Sequence, residues 1–72
     1  MLELYMEPTR FEVKHGALSL YEDDKKRWIP LDTITYIDLT DDVVTMVYGA
    51  IRLRCKTGEA KDLFSTLQIW RK

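Results

Sequence analysis

Hydrophobic and polar residues alternate along most of this chain, which is the two-residue period of a half-buried β-strand. The alternation is plainest over residues 51–56, where Ile51, Leu53 and Cys55 share one face and charged residues share the other. Similar short segments recur from residue 2 onward, separated by proline, glycine or paired acidic residues typical of turns. The pattern therefore predicts about six strands joined as antiparallel hairpins.

The stretch around Pro30 divides this succession into two parts. Proline has no amide hydrogen for a sheet ladder, so the strand that contains Trp28 should end there. A new strand then begins at Ile34. Strict alternation after the break would place Ile34, Tyr36 and Asp38 on one face of that strand.

The period of the pattern changes near residue 58. Apolar residues then recur at spacings of three and four, which is the pattern of one face of an α-helix. We predict a helix over residues 59–71 that packs on the strands, with Trp70 as a plug of the core or, alternatively, as an exposed anchor for a partner. The apolar positions are Ala60, Leu63, Phe64, Leu67 and Trp70.

Together these elements predict an α+β protein, in which a curled antiparallel sheet or partial barrel is capped by one C-terminal helix. A length of 72 residues suits a single domain over residues 1–72. The one cysteine, Cys55, excludes an intramolecular disulfide and favours a reduced, cytoplasmic setting. No apolar run approaches the roughly 20 residues that cross a bilayer.

Three stretches resemble the pleckstrin-homology-like (PH-like) fold, particularly its small bacterial members. They are residues 11–21, residues 28–37 with their Ile-Pro-Leu corner, and residues 51–54 before the helix. The resemblance implies a non-catalytic scaffold that binds proteins, peptides or lipid headgroups, and whose bacterial members can self-assemble. Members that bind phosphoinositides carry clustered cations on the first hairpin. Here that hairpin offers Lys14 and no further Lys or Arg up to residue 22, so phosphoinositide binding is not expected.

Pairing of the last two hairpins predicts a candidate binding surface. A turn at residues 49–50 sets Val47 beside Arg52, and a turn at residues 41–42 sets Tyr36 beside Val47. Because Tyr and Arg are enriched at interfaces, we predict that this face binds an acidic protein partner or a second copy of the chain. An ordinary solvated sheet face is the alternative. The predicted partner-binding residues are Tyr36, Val47, Arg52, Arg54, Lys56 and, if Ile29 points inward, Trp28.

The row formed by Arg52, Arg54 and Lys56 has a second possible use, which is binding of single-stranded nucleic acid or another phosphate ligand. Outward residues on one strand lie about 7 Å apart, close to the spacing of phosphates along a strand. Exposed Tyr36 or Trp28 could stack a base. The net charge of −1 and the acids at positions 38, 41 and 42 argue against this use.

No group of residues in the sequence predicts catalysis, a cofactor or a metal site. His15 lies in a Lys-His-Gly hairpin turn, and Cys55 alternates inward as a small buried hydrophobe. One cysteine and one histidine do not complete a tetrahedral metal site. We therefore expect a non-enzymatic interaction module, acting as an adaptor, a small inhibitor or a homo-oligomer.

Overall fold

The computed structural model describes residues 1–70, which form seven strands, one short 3₁₀ helix and one α-helix. The α+β class and the single C-terminal helix predicted from the sequence are confirmed. The predicted count of about six strands is too low, because every alternating segment forms a strand of its own. In chain order the elements are β1 (Leu2–Met6), β2 (Arg10–Lys14), β3 (Ala17–Glu22), β4 (Lys25–Pro30), the 3₁₀ helix (Leu31–Thr33), β5 (Ile34–Thr40), β6 (Val43–Tyr48), β7 (Ile51–Lys56) and α1 (Ala60–Trp70).

The strands form two sheets, and these do not close into the predicted single curled sheet or partial barrel. One sheet has three antiparallel strands in the order β2-β3-β4, and the other has four in the order β1-β7-β6-β5. The break at Pro30 separates β4 from β5, as the missing amide hydrogen predicts. The 3₁₀ helix follows at once, and the Leu31 N–H donates to the Gly16 carbonyl at 2.9 Å. This bond ties the corner between the sheets to the tip of the β2–β3 hairpin.

Strand β1 is the exception to the predicted antiparallel order. It runs parallel to β7, with Glu3 opposite Arg52 and Tyr5 opposite Arg54. Alternation along β1 correctly indicates a strand but does not identify its partner, which lies near the other end of the chain. The pairing covers one edge of β7, so β1 and β5 form the two edges of the four-stranded sheet.

A one-residue irregularity in β5 changes one predicted side-chain direction. The register with β6 shifts between Ile34 and Tyr36, which is the signature of a β-bulge. Ile34 therefore faces inward opposite Tyr48 and is buried, whereas Tyr36 faces outward opposite Val47. The prediction that Ile34 and Tyr36 share a face is wrong, because strict alternation does not anticipate the extra residue.

The hydrophobic core contains side chains from both sheets and from the helix. Leu18 and Ile29 come from the three-stranded sheet, Met46 and Leu53 from the four-stranded sheet, and Leu63 from α1, all at 0% exposure. Complete burial of such a side chain contributes about 2 kcal/mol to stability. The core thus joins the inner faces of the two sheets and leaves their outer faces for other uses.

Helix α1 contacts β5 and β6 through most of its predicted apolar face. Ala60, Leu63 and Leu67 are buried and Phe64 is partly buried, but Trp70 is 53% exposed. Its predicted role as a core plug is wrong. Trp70 lies seven positions after Leu63 and so shares its face, but as the last residue of α1 it extends beyond the core. The end of the predicted helix, residue 71, lies outside the described residues.

Candidate interaction site

Five of the six predicted partner-binding residues lie on the outer face of the four-stranded sheet. Tyr36, Val47 and Arg52 form one row across β5, β6 and β7. The turns predicted at residues 41–42 and 49–50 set this register and are confirmed. The next two rows consist of Asp38, Thr45 and Arg54, and of Thr40, Val43 and Lys56.

All of these residues except Lys56 line an open groove of about 610 Å³. Tyr36 is 48% exposed, Arg52 and Arg54 are exposed, and Val47 is partly buried in the floor. The helix packs on the inner face of the same sheet, so the rest of the described chain leaves the outer face uncovered. A partner that docks here would contact an aromatic ring, an aliphatic floor and two guanidinium groups together.

Strand β1 adds two residues to this face that the sequence prediction missed. Glu3 lies next to Arg52 in the first row, and Tyr5, which is 56% exposed, lies next to Arg54 in the second. Alternation along β1 already placed both residues opposite to the apolar ones. Only the parallel pairing with β7 shows that they share a face with the arginines.

The two carboxylates that flank the arginines change the electrostatic character of this face. Arg52, Arg54 and Lys56 lie in the strand that has Glu3 on one side and Asp38 beyond β6 on the other. With Asp41, which also borders the groove, three carboxylates match three cations. The face is therefore mixed in charge and close to neutral, whereas the sequence predicted a cationic row suited to an acidic partner.

Tyr36 is held in place by a neighbour on its own strand. Its hydroxyl donates a hydrogen bond to Asp38 Oδ2 at 2.8 Å. This bond and the negative charge of Asp38 raise the pKa of Tyr36 above its usual 10.0, while Arg52 has a smaller opposing effect. The phenol is therefore neutral at physiological pH, and its ring has a fixed anchor beside the groove.

Trp28 points outward as predicted, but it lies apart from the other five residues. Ile29 is fully buried and Trp28 is 62% exposed, in agreement with alternation along β4. Trp28 pairs with Ser19 on the outer face of the three-stranded sheet. The predicted site thus divides between two faces of the molecule.

The two residues with reactive side chains occupy the positions that the sequence indicates. Cys55 is fully buried, and burial raises the pKa of its thiol to about 12. His15 and Gly16 form the predicted turn, with φ values of 54° and 76°. Within residues 1–70, no three His, Cys, Asp or Glu side chains assemble into a metal-binding group. No helix in that range has the length and apolarity to span a membrane.

Comparisons with protein-family models, with curated proteins and with solved structures found no match for this chain. What the chain can bind is therefore inferred from the geometry and charge of its two outer sheet faces. One face carries tyrosines and arginines among carboxylates. The other face carries an exposed tryptophan.

Proposed function

We propose that this chain is a non-enzymatic protein-interaction module of the PH-like class, which binds through the outer face of its four-stranded sheet. The order of hairpins and the terminal helix support membership of this class. The parallel β1–β7 pair is an addition that the resemblance does not imply. An interaction role agrees with a core that uses both inner faces and leaves a polar groove on the outside.

The observation that carries the proposal is that exposed Tyr and Arg side chains share the outer face of the four-stranded sheet, which also bears an open groove. Tyr5 and Tyr36 stand on either side of Arg52 and Arg54, across the width of the sheet. Tyrosine offers a large rigid contact surface, and arginine offers a planar fork of hydrogen-bond donors. These two residue types are enriched at the centres of protein interfaces.

The mixed charge of the face selects between kinds of protein partner. A uniformly acidic surface would meet Glu3 and Asp38 as well as the arginines, and like charges brought together weaken association. A second copy of this chain presents both signs, so that carboxylates of one copy can lie against the arginines of the other. Self-association through this face is therefore our preferred form of the proposal, with a protein partner of mixed charge as the alternative.

The area of the face indicates how strong such an association can be. Four strands roughly 4.8 Å apart and six residues long present a projected area of about 300 Å². A stable interface buries about 800 Å² on each partner. Contact through this face alone is therefore expected to be weak and concentration-dependent.

This geometry does not support the alternative that nucleic acid binds along β7 through Arg52, Arg54 and Lys56. Glu3 is directly beside Arg52, and Asp38 lies in the same row as Arg54. Phosphates that followed these cations along β7 would pass between carboxylates on both sides. Electrostatic attraction, which dominates non-specific nucleic-acid binding, would be largely cancelled.

Sedimentation equilibrium over a range of protein concentrations tests the proposal. We expect the molar mass to rise with concentration for the unaltered chain. The double variant Arg52→Glu/Arg54→Glu should remain monomeric, because it leaves only like charges in the centre of the face. Lys61→Glu makes the same kind of charge reversal on the exposed side of α1 and is the matched control.

If the unaltered chain is monomeric throughout, the same variants separate a foreign partner from no partner. Affinity capture from the native host should then retain a protein on the unaltered chain and on Lys61→Glu but not on the double variant. Identical captured proteins for all three baits, together with a monomeric mass, would exclude this face as the binding site.

A further inference from the structure

The outer face of the three-stranded sheet carries features that the proposed function does not use. Trp28 is 62% exposed, and Ser19 and Ala17 stand beside it on the central strand β3. Because β2 and β4 are separated by about 10 Å, these two small side chains leave a trough between the flanking strands. The trough has a volume of about 330 Å³, and Trp28 lies along one side.

Two cations at one end of this trough are held by an aromatic ring. The Arg10 guanidinium lies 3.7 Å from the centre of the Tyr21 ring, and the Lys26 ammonium lies 5.6 Å from it. Both distances are within the range of cation–π attraction. Arg10 lies on β2 and Lys26 on β4, on opposite sides of β3, and both side chains approach the ring of Tyr21 on β3.

The outward side chains of this sheet give the face a positive charge. Arg10, Lys14 and Lys26 carry three positive charges against the single negative charge of Glu12, for a local net charge of +2. The whole chain has a net charge of −1. An anionic ligand that approaches this protein is therefore attracted to the three-stranded sheet more than to the nearly neutral groove on the other sheet.

The positions of these residues form three successive rows across the sheet. Arg10 and Lys26 flank Tyr21 in the first row, and Lys14 lies in the third, opposite Ala17. Trp28, Ser19 and Glu12 form the row between them. Cations thus lie on both sides of the exposed indole, along the direction of the strands.

We infer that this face binds single-stranded nucleic acid. One base stacks on Trp28 over the trough, while the phosphates before and after it contact the cations of the first and third rows. Glu12 lies in the base row, away from the phosphates, where its carboxylate can accept a hydrogen bond from a base N–H such as the N3–H of thymine. Stacking of bases on exposed aromatic rings within a cationic groove is the general mode of sequence-tolerant single-strand binding.

An acidic peptide fits the same face less well. It would gain from Lys14, Lys26 and Arg10, but it would leave the flat face of Trp28 without a planar partner. A carboxylate of the peptide that entered the trough would also lie near the Glu12 carboxylate and be repelled by it. The row order of cation, aromatic ring and cation therefore favours a ligand that alternates phosphates with planar bases.

Fluorescence anisotropy of a labelled oligodeoxythymidylate of about 15 nucleotides, at low salt, tests this inference on the full chain. We expect saturable binding that weakens as salt is added. Trp28→Leu should lower the affinity about tenfold, the usual loss for one base–aromatic stack, whereas Trp28→Phe should retain most of it. Lys26→Gln should reduce the slope of log affinity against log salt by roughly 0.7.

Matched variants on the other sheet act as controls. Tyr36→Leu removes an exposed aromatic ring and Arg54→Gln removes an exposed cation, and neither should change oligonucleotide binding. In a Trp70→Phe background, which leaves Trp28 as the single indole, binding should also quench the tryptophan emission.

Three results would overturn the inference. They are no retention of the oligonucleotide at low salt, equal losses for Trp28→Leu and Tyr36→Leu, and full displacement by a polyglutamate peptide at equal charge concentration. The last result would assign the face to an acidic polypeptide. None of these results bears on self-association, which depends on Arg52 and Arg54 on the other sheet.

Discussion

The outer faces of the two sheets differ most in their central strands. In the four-stranded sheet, β7 is an inner strand and projects Arg52 and Arg54 from the middle of the face, with carboxylates on both sides. In the three-stranded sheet, the central strand β3 projects the small residues Ala17 and Ser19, with Tyr21 at one end, and the charged side chains stand on the flanking strands. The first face is a mixed-charge surface with raised arginines, and the second is a trough with cationic sides.

This difference shows that the residue types on the central strand decide what an open sheet face can accept. Long cations in the middle stand within reach of acids on both neighbours, which cancels the net charge but offers matched contacts to another protein. Small residues in the middle leave space for a ligand to enter between the neighbours. One chain of this size can therefore present two unlike surfaces on one core.

The largest expected effect separates the inner and outer faces of a single strand. Leu53→Ala should lower the free energy of unfolding by about 3 kcal/mol, because Leu53 is fully buried and truncation leaves a cavity. Arg54→Ala, one residue later and exposed, should change it by less than about 0.5 kcal/mol. Urea unfolding followed by circular dichroism measures both. Similar losses for the two variants would mean that the outer face is also packed against something.

The next effect concerns Cys55 on the inner face and appears at alkaline pH. Burial raises its pKa from 9.0 to about 12, so the unfolded chain loses this proton first and stability falls as pH rises from about 9 to about 12. At pH 10 the loss should be about 1.4 kcal/mol relative to neutral pH. Cys55→Val should lack this component, and the difference between the two unfolding curves isolates it. Parallel pH profiles for the two proteins would show that the thiol ionises normally.

A smaller effect compares the turns that hold the two sheets. Gly16 and Gly49 adopt φ values of 76° and 57°, which residues other than glycine rarely adopt. Gly16→Ala and Gly49→Ala should each destabilise the protein by about 1 kcal/mol. Gly58→Ala, where φ is not positive and a Cβ atom meets nothing within 4 Å, is the control and should be close to neutral. Thermal unfolding measures the three variants. A Tm for Gly16→Ala or Gly49→Ala no lower than that of Gly58→Ala would show that the hairpin does not need its glycine.

The smallest effect is spectroscopic and sharpens the description of the mixed-charge face. Because Asp38 raises the pKa of Tyr36, Tyr36 should lose its proton at a higher pH than an unperturbed tyrosine. Asp38→Asn should bring that ionisation to lower pH, since the negative charge is removed. Since the folded pKa is raised, any stabilisation from this pair is present below pH 10.0 and declines above it. Carbon-13 labelling of the tyrosine rings follows Tyr36 separately, and an unchanged titration in Asp38→Asn would contradict the assignment.

Local features of the fold could be predicted from the sequence because each has a short-range cause. Alternation predicts that Trp28 points outward and Cys55 inward. The missing amide hydrogen of Pro30 predicts the break between the two sheets. The change to a spacing of three and four gave the helix. Each of these signals depends on neighbouring residues alone.

The features that could not be predicted all depend on contacts between distant segments. The parallel pairing of β1 brings Glu3 to Arg52, and nothing in the local pattern of either strand indicates it. The bulge after Ile34 reverses the expected direction of that residue through its register with β6. Trp70 has the correct helical phase but extends beyond the core, whose limit is set by all the other elements.

The pairing of β1 with β7 also has a consequence for the time at which the protein can fold. During synthesis β1 leaves the ribosome before β7, so its backbone donors and acceptors have no strand partner until residues 51–56 have emerged. Over that interval the nascent chain carries an unpaired apolar strand, which is a template for contacts between neighbouring chains. Because β1 gains its partner only when β7 has been made, slow translation before residue 51 would prolong the period in which the chain is prone to aggregate.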